Sequence, residues 1–308
     1  MRDKTGVIIL NYNSVNETKV CIQSVIQNTH NICIYIVDNC SNKDDYSELM
    51  KAYKDYENIT VIKNEINSGY SAGNNIGLRR AIADGCEYVM ICNPDVQFEN
   101  DVISNLKEDL NESVAIAAPR IFDLDNKDGQ RIKHNYSFHY ALFNKKPFCC
   151  FAAYFHGNEY YSEYNPQRCF MFTGSPSGCC FLMRADVLEK MGYLDENVFL
   201  YCEEYILGKK LENLGLKCFY DPRSVVKHHE GTSTRQVGNL FIDFHMYASE
   251  YYILNRYCKI NNRERKLIRL LRLLNFGLKS IMAYDFSYMT KIRNKFNEID
   301  EGIYKIGF

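Results

Sequence analysis

The chain has 308 residues and a formal net charge of -1, so it can bury a full core and carries no global basic field of the kind nucleic acids attract. Its 13 cysteines are dispersed, with no CxxC paired to a second CxxC, which argues against a zinc site. They read instead as reduced, mostly buried thiols of a cytoplasmic protein. The opening MRDKTGVIIL runs straight into a strand without the apolar length of a signal peptide. No stretch reaches the length of a membrane span.

Residues 7–10 read as a buried strand. Residues 16–29 read as a helix with Ile22, Val25, Ile26 and Thr29 on one face. A strand over 32–37, a polar helix over 44–56 and a strand over 59–63 follow. The spacing then predicts a helix over 71–84 with Ser71 as its N-cap and Gly85 at its stop, and a strand over 88–92. Short links between such units imply a parallel sheet with helices on both faces, and ligands bind beyond the carboxyl ends of its strands. Residues 123–168 lack periodicity and read as loops and an irregular acceptor-side flap. Further on come a strand over 177–183, helices over 186–191 and 203–214, and short extended pieces at 217–220 and 225–227. From Phe241 the chain turns helical, and residues 263–279 mix arginine and lysine with leucine.

Five polar clusters stand out, each with two readings. Asp38, just past a strand, can accept from N3–H of a uracil or thymine on which Tyr12 stacks, or can cap its own turn. Gly69 and Gly73 in NSGYSAGNN can let backbone approach a phosphate, or form an ordinary loop–helix junction. Asn93-Pro94-Asp95 can hold a carboxylate towards Mg²⁺ or Mn²⁺, or make a type I turn. Glu203-Glu204 can supply a general base, or simply complement a helix dipole. His228-His229 can give a nitrogen to the same metal, or be satisfied by backbone.

The clusters fall in an order that resembles the family 2 glycosyltransferases, especially the bacterial rhamnosyltransferase-like branch of O-antigen and capsule synthesis. The pieces are VIILNYNS, IVDNCS, NEINSGYSAGNNIG, ICNPDV, GSPSGCCFLMRADVLEKMGYLDENVFLYCEE and DPRSVVKHHEGTS. The resemblance implies an α/β GT-A fold, with a Rossmann-like, mostly parallel sheet flanked by helices and a C-terminal helical extension. It implies a catalytic domain over 1–235, nucleotide-sugar half 1–100 and acceptor half 101–235, then the extension over 236–308. It further implies inversion at the anomeric carbon, a divalent metal and transfer from a dTDP- or UDP-sugar to a saccharide or lipid-linked saccharide.

Carried over by motif, Asn11, Tyr12, Asp38 and Asn39 are expected at the base end of the donor. Gly69, Tyr70, Asn74 and Asn75 are expected near ribose and phosphates, and Asn93 near the ribose. Asp95 and His228 are the expected metal ligands, and Glu204, with Glu203 as second choice, the base. The family's Glu-Asp-x-Asp-Leu reads Glu203-Glu204-Tyr205-Ile206-Leu207 here. Asn74 stands where many relatives carry Arg, removing one positive charge from the phosphates. A sugar-nucleotide nucleotidyltransferase or a non-catalytic sugar-binding scaffold of the same fold are the alternatives. The C-terminal pattern suits either a helix in a membrane interface on the cytoplasmic side or one packed on the catalytic domain.

Overall fold

A computed structural model describes residues 4–129, 132–143, 164–229 and 239–304. The first third alternates strand and helix: β1 (Thr5–Asn11), α1 (Val15–Asn28), β2 (Ile32–Asn39), α2 (Lys43–Tyr53), β3 (Ile59–Asn64), α3 (Tyr70–Ala83) and β4 (Tyr88–Cys92). These strands pair in parallel in the order β3-β2-β1-β4. Side chains alternate across the sheet. Val7 and Ile9 therefore pack with Ile22 and Val25 of α1 on one face, while Ile8 packs with Leu78 and Ala81 of α3 on the other. Ile26, expected on the inner face of α1, is 38% exposed. Its neighbours Ile22 and Val25 occupy the contact instead.

The helix expected to start from a Ser71 cap begins earlier. Gly69 occupies the N-cap with φ +83, and Ser71 is buried in the first turn. Glycine is needed there twice over. The positive φ favours it, and a Cβ would lie 2.4 Å from the carbonyl oxygen of Phe199. Tyr70 N–H donates to that same oxygen at 2.9 Å. The close approach made by this glycine is thus to the chain's own second half.

Beyond β4 the sheet becomes mixed. β5 (Val96–Phe98), α4 (Val102–Asp109) and β6 (Val114–Phe122) lead into α5 (Phe138–Phe143), β7 (Phe170–Phe172), β8 (Cys180–Arg184), α6 (Ala185–Lys190), α7 (Glu203–Asn213) and β9 (Lys217–His228). β8 runs antiparallel between β4 and β6. β9 lies parallel to β6 and antiparallel to β5. The two extended pieces expected at 217–220 and 225–227 are one strand. A register shift, with Pro119 opposite Asp221 and Arg120 opposite Val225, absorbs Pro222.

Three further helices complete the described chain, α8 (Asn239–Arg256), α9 (Asn262–Ala283) and α10 (Met289–Asp300). α9 opens on a capping box, with Asn261 and Glu264 exchanging side-chain-to-backbone bonds. The helices share one apolar core with Tyr136, Val198, Phe199 and Tyr205, so they pack directly against the segment that leads into α7. The division expected at residue 235 falls outside the described residues. No described helix is long and apolar enough to cross a membrane.

Candidate active site

Long-range strand pairing, more than local sequence, assembles the site. Cys92 pairs with Cys180, which brings Cys179 to the end of β4, where its carbonyl accepts from Asn93 N–H at 2.8 Å. Val96 pairs with His228, and Asp95 carbonyl accepts from His229 N–H at 2.9 Å. The turn between them closes with Val96 N–H donating to the Asn93 carbonyl at 3.1 Å, so the Pro94 turn foreseen as an alternative is present. It also holds Asp95 against His228, with Nε2 3.2 Å from Oδ1.

A cavity of about 420 Å³ opens here, lined among others by Tyr70, Asn93, Cys179, Glu203, Glu204 and His228. The Tyr70 hydroxyl stands 2.7 Å from the Gly178 carbonyl and 3.1 Å from Asn93 Oδ1, bridging the two halves of the chain. Tyr201 and Cys202 both adopt φ +69 immediately before α7. Two consecutive non-glycine residues in the left-handed region store strain, and here they turn the first residues of α7 towards the cavity.

The two glutamates at the start of α7 have different surroundings. Glu204 Oε1 is ion-paired with Lys133 Nζ at 3.0 Å, and the same ammonium lies 4.9 Å from the centre of the Tyr205 ring. Burial, reinforced by the Glu204 charge, pushes the Glu203 carboxyl up to about 8, and its Oε1 is buried without a hydrogen bond among the described residues. At His228, burial alone would lower the pKa. Cys179 and the Asp95 carboxylate outweigh it and push the pKa up to about 11.

The Glu203 shift predicts a pH signature in the ligand-free protein. Between its ordinary value of 4.5 and about 8, the folded state holds a proton that the unfolded state has lost. Stability contributed by this group is therefore complete below 4.5 and declines as pH rises towards 8. Glu203→Gln should melt like the parent at pH 4.5 and above it at pH 9, measured by thermal unfolding at both pH values. Equal melting temperatures at pH 9 would contradict the assignment.

Of the other expected donor residues, Asn11, Tyr12, Asp38 and Asn39 lie at the neighbouring strand ends and Gly69, Asn74 and Asn75 at the start of α3. None of these, nor Asp95, lines that cavity. Asn11 sits opposite Asp38 in the β1–β2 register, and its Nδ2 donates to Asp38 Oδ2 at 2.9 Å. Asp38 is 1% exposed and also accepts from Ser41 N–H at 3.1 Å, the turn contact foreseen as its alternative role. Tyr12, beside them, is 43% exposed. The remaining amides are engaged within the protein. Asn39 ties down Asn64, Asn67 and Ser68. Asn74 Nδ2 donates to the Tyr70 carbonyl, and Asn75 brackets Leu194 and Glu196. Residues 231–233, part of the histidine motif, lie outside the described residues.

Lys133 was not singled out by sequence reasoning. It stands in the aperiodic stretch, and an isolated bridge to Ser175, with backbone bonds of 3.1 and 3.2 Å, delivers it to Glu204. No local pattern signals such a contact.

A parallel α/β half, joined through one antiparallel strand to a half that brings an acidic helix start over the sheet edge, is the GT-A glycosyltransferase architecture. Solved structures agree. GalNAc-T7 with UDP, GalNAc and Mn²⁺ superposes with a TM-score of 0.63 at 14% identity, covering 97% of this chain and 56% of that one. S. aureus TarS 1-349 superposes with 0.52 at 15% identity, covering 92% and 73%. Residues 6–192 match glycosyl transferase family 2, and the chain belongs to that family of glycosyltransferases. A low-salt glycan biosynthesis hexosyltransferase, Agl10 of Haloferax volcanii, is 26% identical over 222 residues, which span 70% of this chain and 64% of that protein. The N-acetylglucosaminyl-diphospho-decaprenol L-rhamnosyltransferase of Mycobacterium tuberculosis is 38% identical over 58 residues, 19% of each chain. The match thus spans less than two thirds of either relative.

Proposed function

We propose that this glycosyltransferase moves a sugar from a dTDP- or UDP-sugar to a saccharide hydroxyl with inversion at the anomeric carbon. The observation that carries the reading is that Asn93, Glu203, Glu204 and His228 line one cavity, with Asp95 held against His228. The acceptor hydroxyl would lose its proton to Glu204, which Lys133 orients, as its oxygen bonds to the anomeric carbon. The bond from that carbon to the diphosphate oxygen breaks, and the nucleoside diphosphate leaves. Tyr12 and Asp38 would take the base at the adjoining strand ends, with the rest of the donor reaching Asn93.

Asp95 and His228 fit a divalent ion. Asp95 Oδ1 and His228 Nε2 lie 3.2 Å apart, and a carboxylate beside an imidazole nitrogen is a donor set that would hold Mg²⁺ or Mn²⁺. When bound, Mg²⁺ or Mn²⁺ would offset the charge gathering on the diphosphate. Among the described residues no third His, Cys, Asp or Glu joins the pair, which leaves positions for phosphate oxygens and water. His228 must lose its proton to ligate, so metal affinity should rise with pH.

The mycobacterial relative's name specifies a decaprenol-linked acceptor and the archaeal one a glycan pathway, which supports a lipid-linked saccharide in surface-polysaccharide synthesis. The described cysteines are free thiols, which suits the cytoplasmic side. Thermal-shift screening of dTDP- and UDP-sugars with and without Mn²⁺ tests the donor class. A cognate donor at about 100 times its Kd adds about 2.7 kcal/mol of stability. A rise in melting temperature that needs Mn²⁺ is expected, and no rise with any nucleotide-sugar would remove the reading.

A further inference from the structure

The outer face of α9 has no role in the proposed chemistry. Its inner face is settled: Ile268, Arg272, Phe276 and Ser280 recur every fourth residue and are buried against the other helices. On the opposite side Leu267, Leu270, Leu274, Leu278 and Ile281 are 40%, 55%, 56%, 61% and 57% exposed. At 3.6 residues per turn these five fall within an arc of about 80° and form one continuous stripe. The stripe runs into Met282, Tyr284 and Phe286, which are 81%, 92% and 59% exposed. A soluble surface scatters such residues singly, whereas a contiguous row marks a contact.

Charge identifies the partner. Residues 262–289 hold six basic side chains and two acids, Glu264 and Asp285. Both acids are engaged locally, Glu264 in the capping box and Asp285 with Ser287 N–H. Arg265 and Arg269 face Asp300, Arg272 faces Glu250 and Lys279 faces Asp243, so Arg263 and Lys266 carry the exposed positive charge. Arg263 and Lys266 are exposed at the start of the stripe, and Lys279 flanks its far end, paired with Asp243. An apolar row with basic flanks and aromatic residues at one end matches the acyl–headgroup boundary of an anionic bilayer. A self-association surface of the same apolar residues would gain nothing from the exposed Arg263 and Lys266.

We propose that α9 and the turn after it dock on the surface of an anionic membrane. Leucines 267, 270, 274 and 278 enter the boundary region, and Arg263 and Lys266 meet the headgroups. The helix lies along the surface with its buried face still packed on α8 and α10. This goes beyond the proposed reaction and stands whichever nucleotide-sugar the enzyme uses.

The test is flotation of the full chain with phosphatidylcholine vesicles and with vesicles containing phosphatidylglycerol. Binding to the anionic vesicles that weakens with salt is expected. Leu274→Glu with Leu278→Glu should reduce partition at least tenfold, and Arg263→Glu with Lys266→Glu by about fivefold for each basic residue removed. The melting temperatures of both double variants should match the parent, since none of these side chains is buried. Absence of vesicle binding by the parent would overturn the proposal, as would binding that both double variants retain. Sedimentation showing a dimer that Leu274→Glu with Leu278→Glu dissociates would assign the stripe to a second copy instead.

Discussion

Glu204→Gln should lower the rate of sugar transfer by about 10²- to 10⁴-fold, the range a positioned general base contributes, while leaving donor affinity nearly unchanged. The amide keeps the size and hydrogen-bonding shape of the side chain but cannot take the acceptor proton. Glu203→Gln should cost far less at pH 7. Burial pushes the Glu203 carboxyl up to about 8, so it is already protonated there, whereas Glu204 faces the Lys133 ammonium at 3.0 Å. The pair therefore separates the two candidates that sequence leaves side by side. Initial rates of nucleoside diphosphate release, with donor binding measured in parallel, provide the readout. A larger loss from Glu203→Gln than from Glu204→Gln would transfer the base role to Glu203. Lys133→Met should lower the rate as well, because it removes the ammonium that orients the Glu204 carboxylate.

Arg272→Leu should be the most damaging substitution outside the cavity, costing about 3–5 kcal/mol of stability. Arg272 is 1% exposed on the inner face of α9, where Nε donates to Glu250 Oε2 at 2.9 Å and a terminal nitrogen donates to the Ala141 carbonyl at 2.6 Å. Glu250 is itself 4% exposed, so removing the guanidinium strands a carboxylate in the apolar core shared by α5, α8 and α9. The loss is that of an uncompensated buried charge, more than of the pair itself. Glu250→Leu added to Arg272→Leu should accordingly recover most of it. Denaturant titrations of the single and double variants measure both effects. A single-variant loss below about 1 kcal/mol, in the range of exposed ion pairs, would show that the pair is solvated.

Much of the first third of the chain is legible because its signals are local. The strands at 32 and 59 begin where the spacing puts them, β4 matches at both ends, and Gly85 stops α3 with φ +83. Parallel strands joined by short helical crossovers leave few topologies. The second half loses that legibility where pairing becomes antiparallel and distant. β6 carries Pro119 in mid-strand and pairs with residues about a hundred positions away, so VAIAAPRIF gives no alternation to read. The site divides the same way. Asn93, Asp95, Glu203, Glu204 and His228 can be named from motifs, and strand pairing then draws them together. Lys133 cannot be named, because an isolated bridge carries no periodic signal. Glycines mislead for a related reason: Gly69 does permit a close approach, but to Phe199. The buried amides of Asn39, Asn74 and Asn75 show the same ambiguity, since a polar residue beside a ligand edge also serves to hold that edge in place.

The central claim is that the Asp95–His228 pair and Glu204 belong to one nucleotide-sugar transfer site. Its most direct test is nucleoside diphosphate release from the donor found by thermal shift, with and without Mn²⁺, for the parent and for Asp95→Ala. Release that depends on Mn²⁺ in the parent and falls by at least a hundredfold in Asp95→Ala is the predicted result. Release at the parental rate from Asp95→Ala would contradict it.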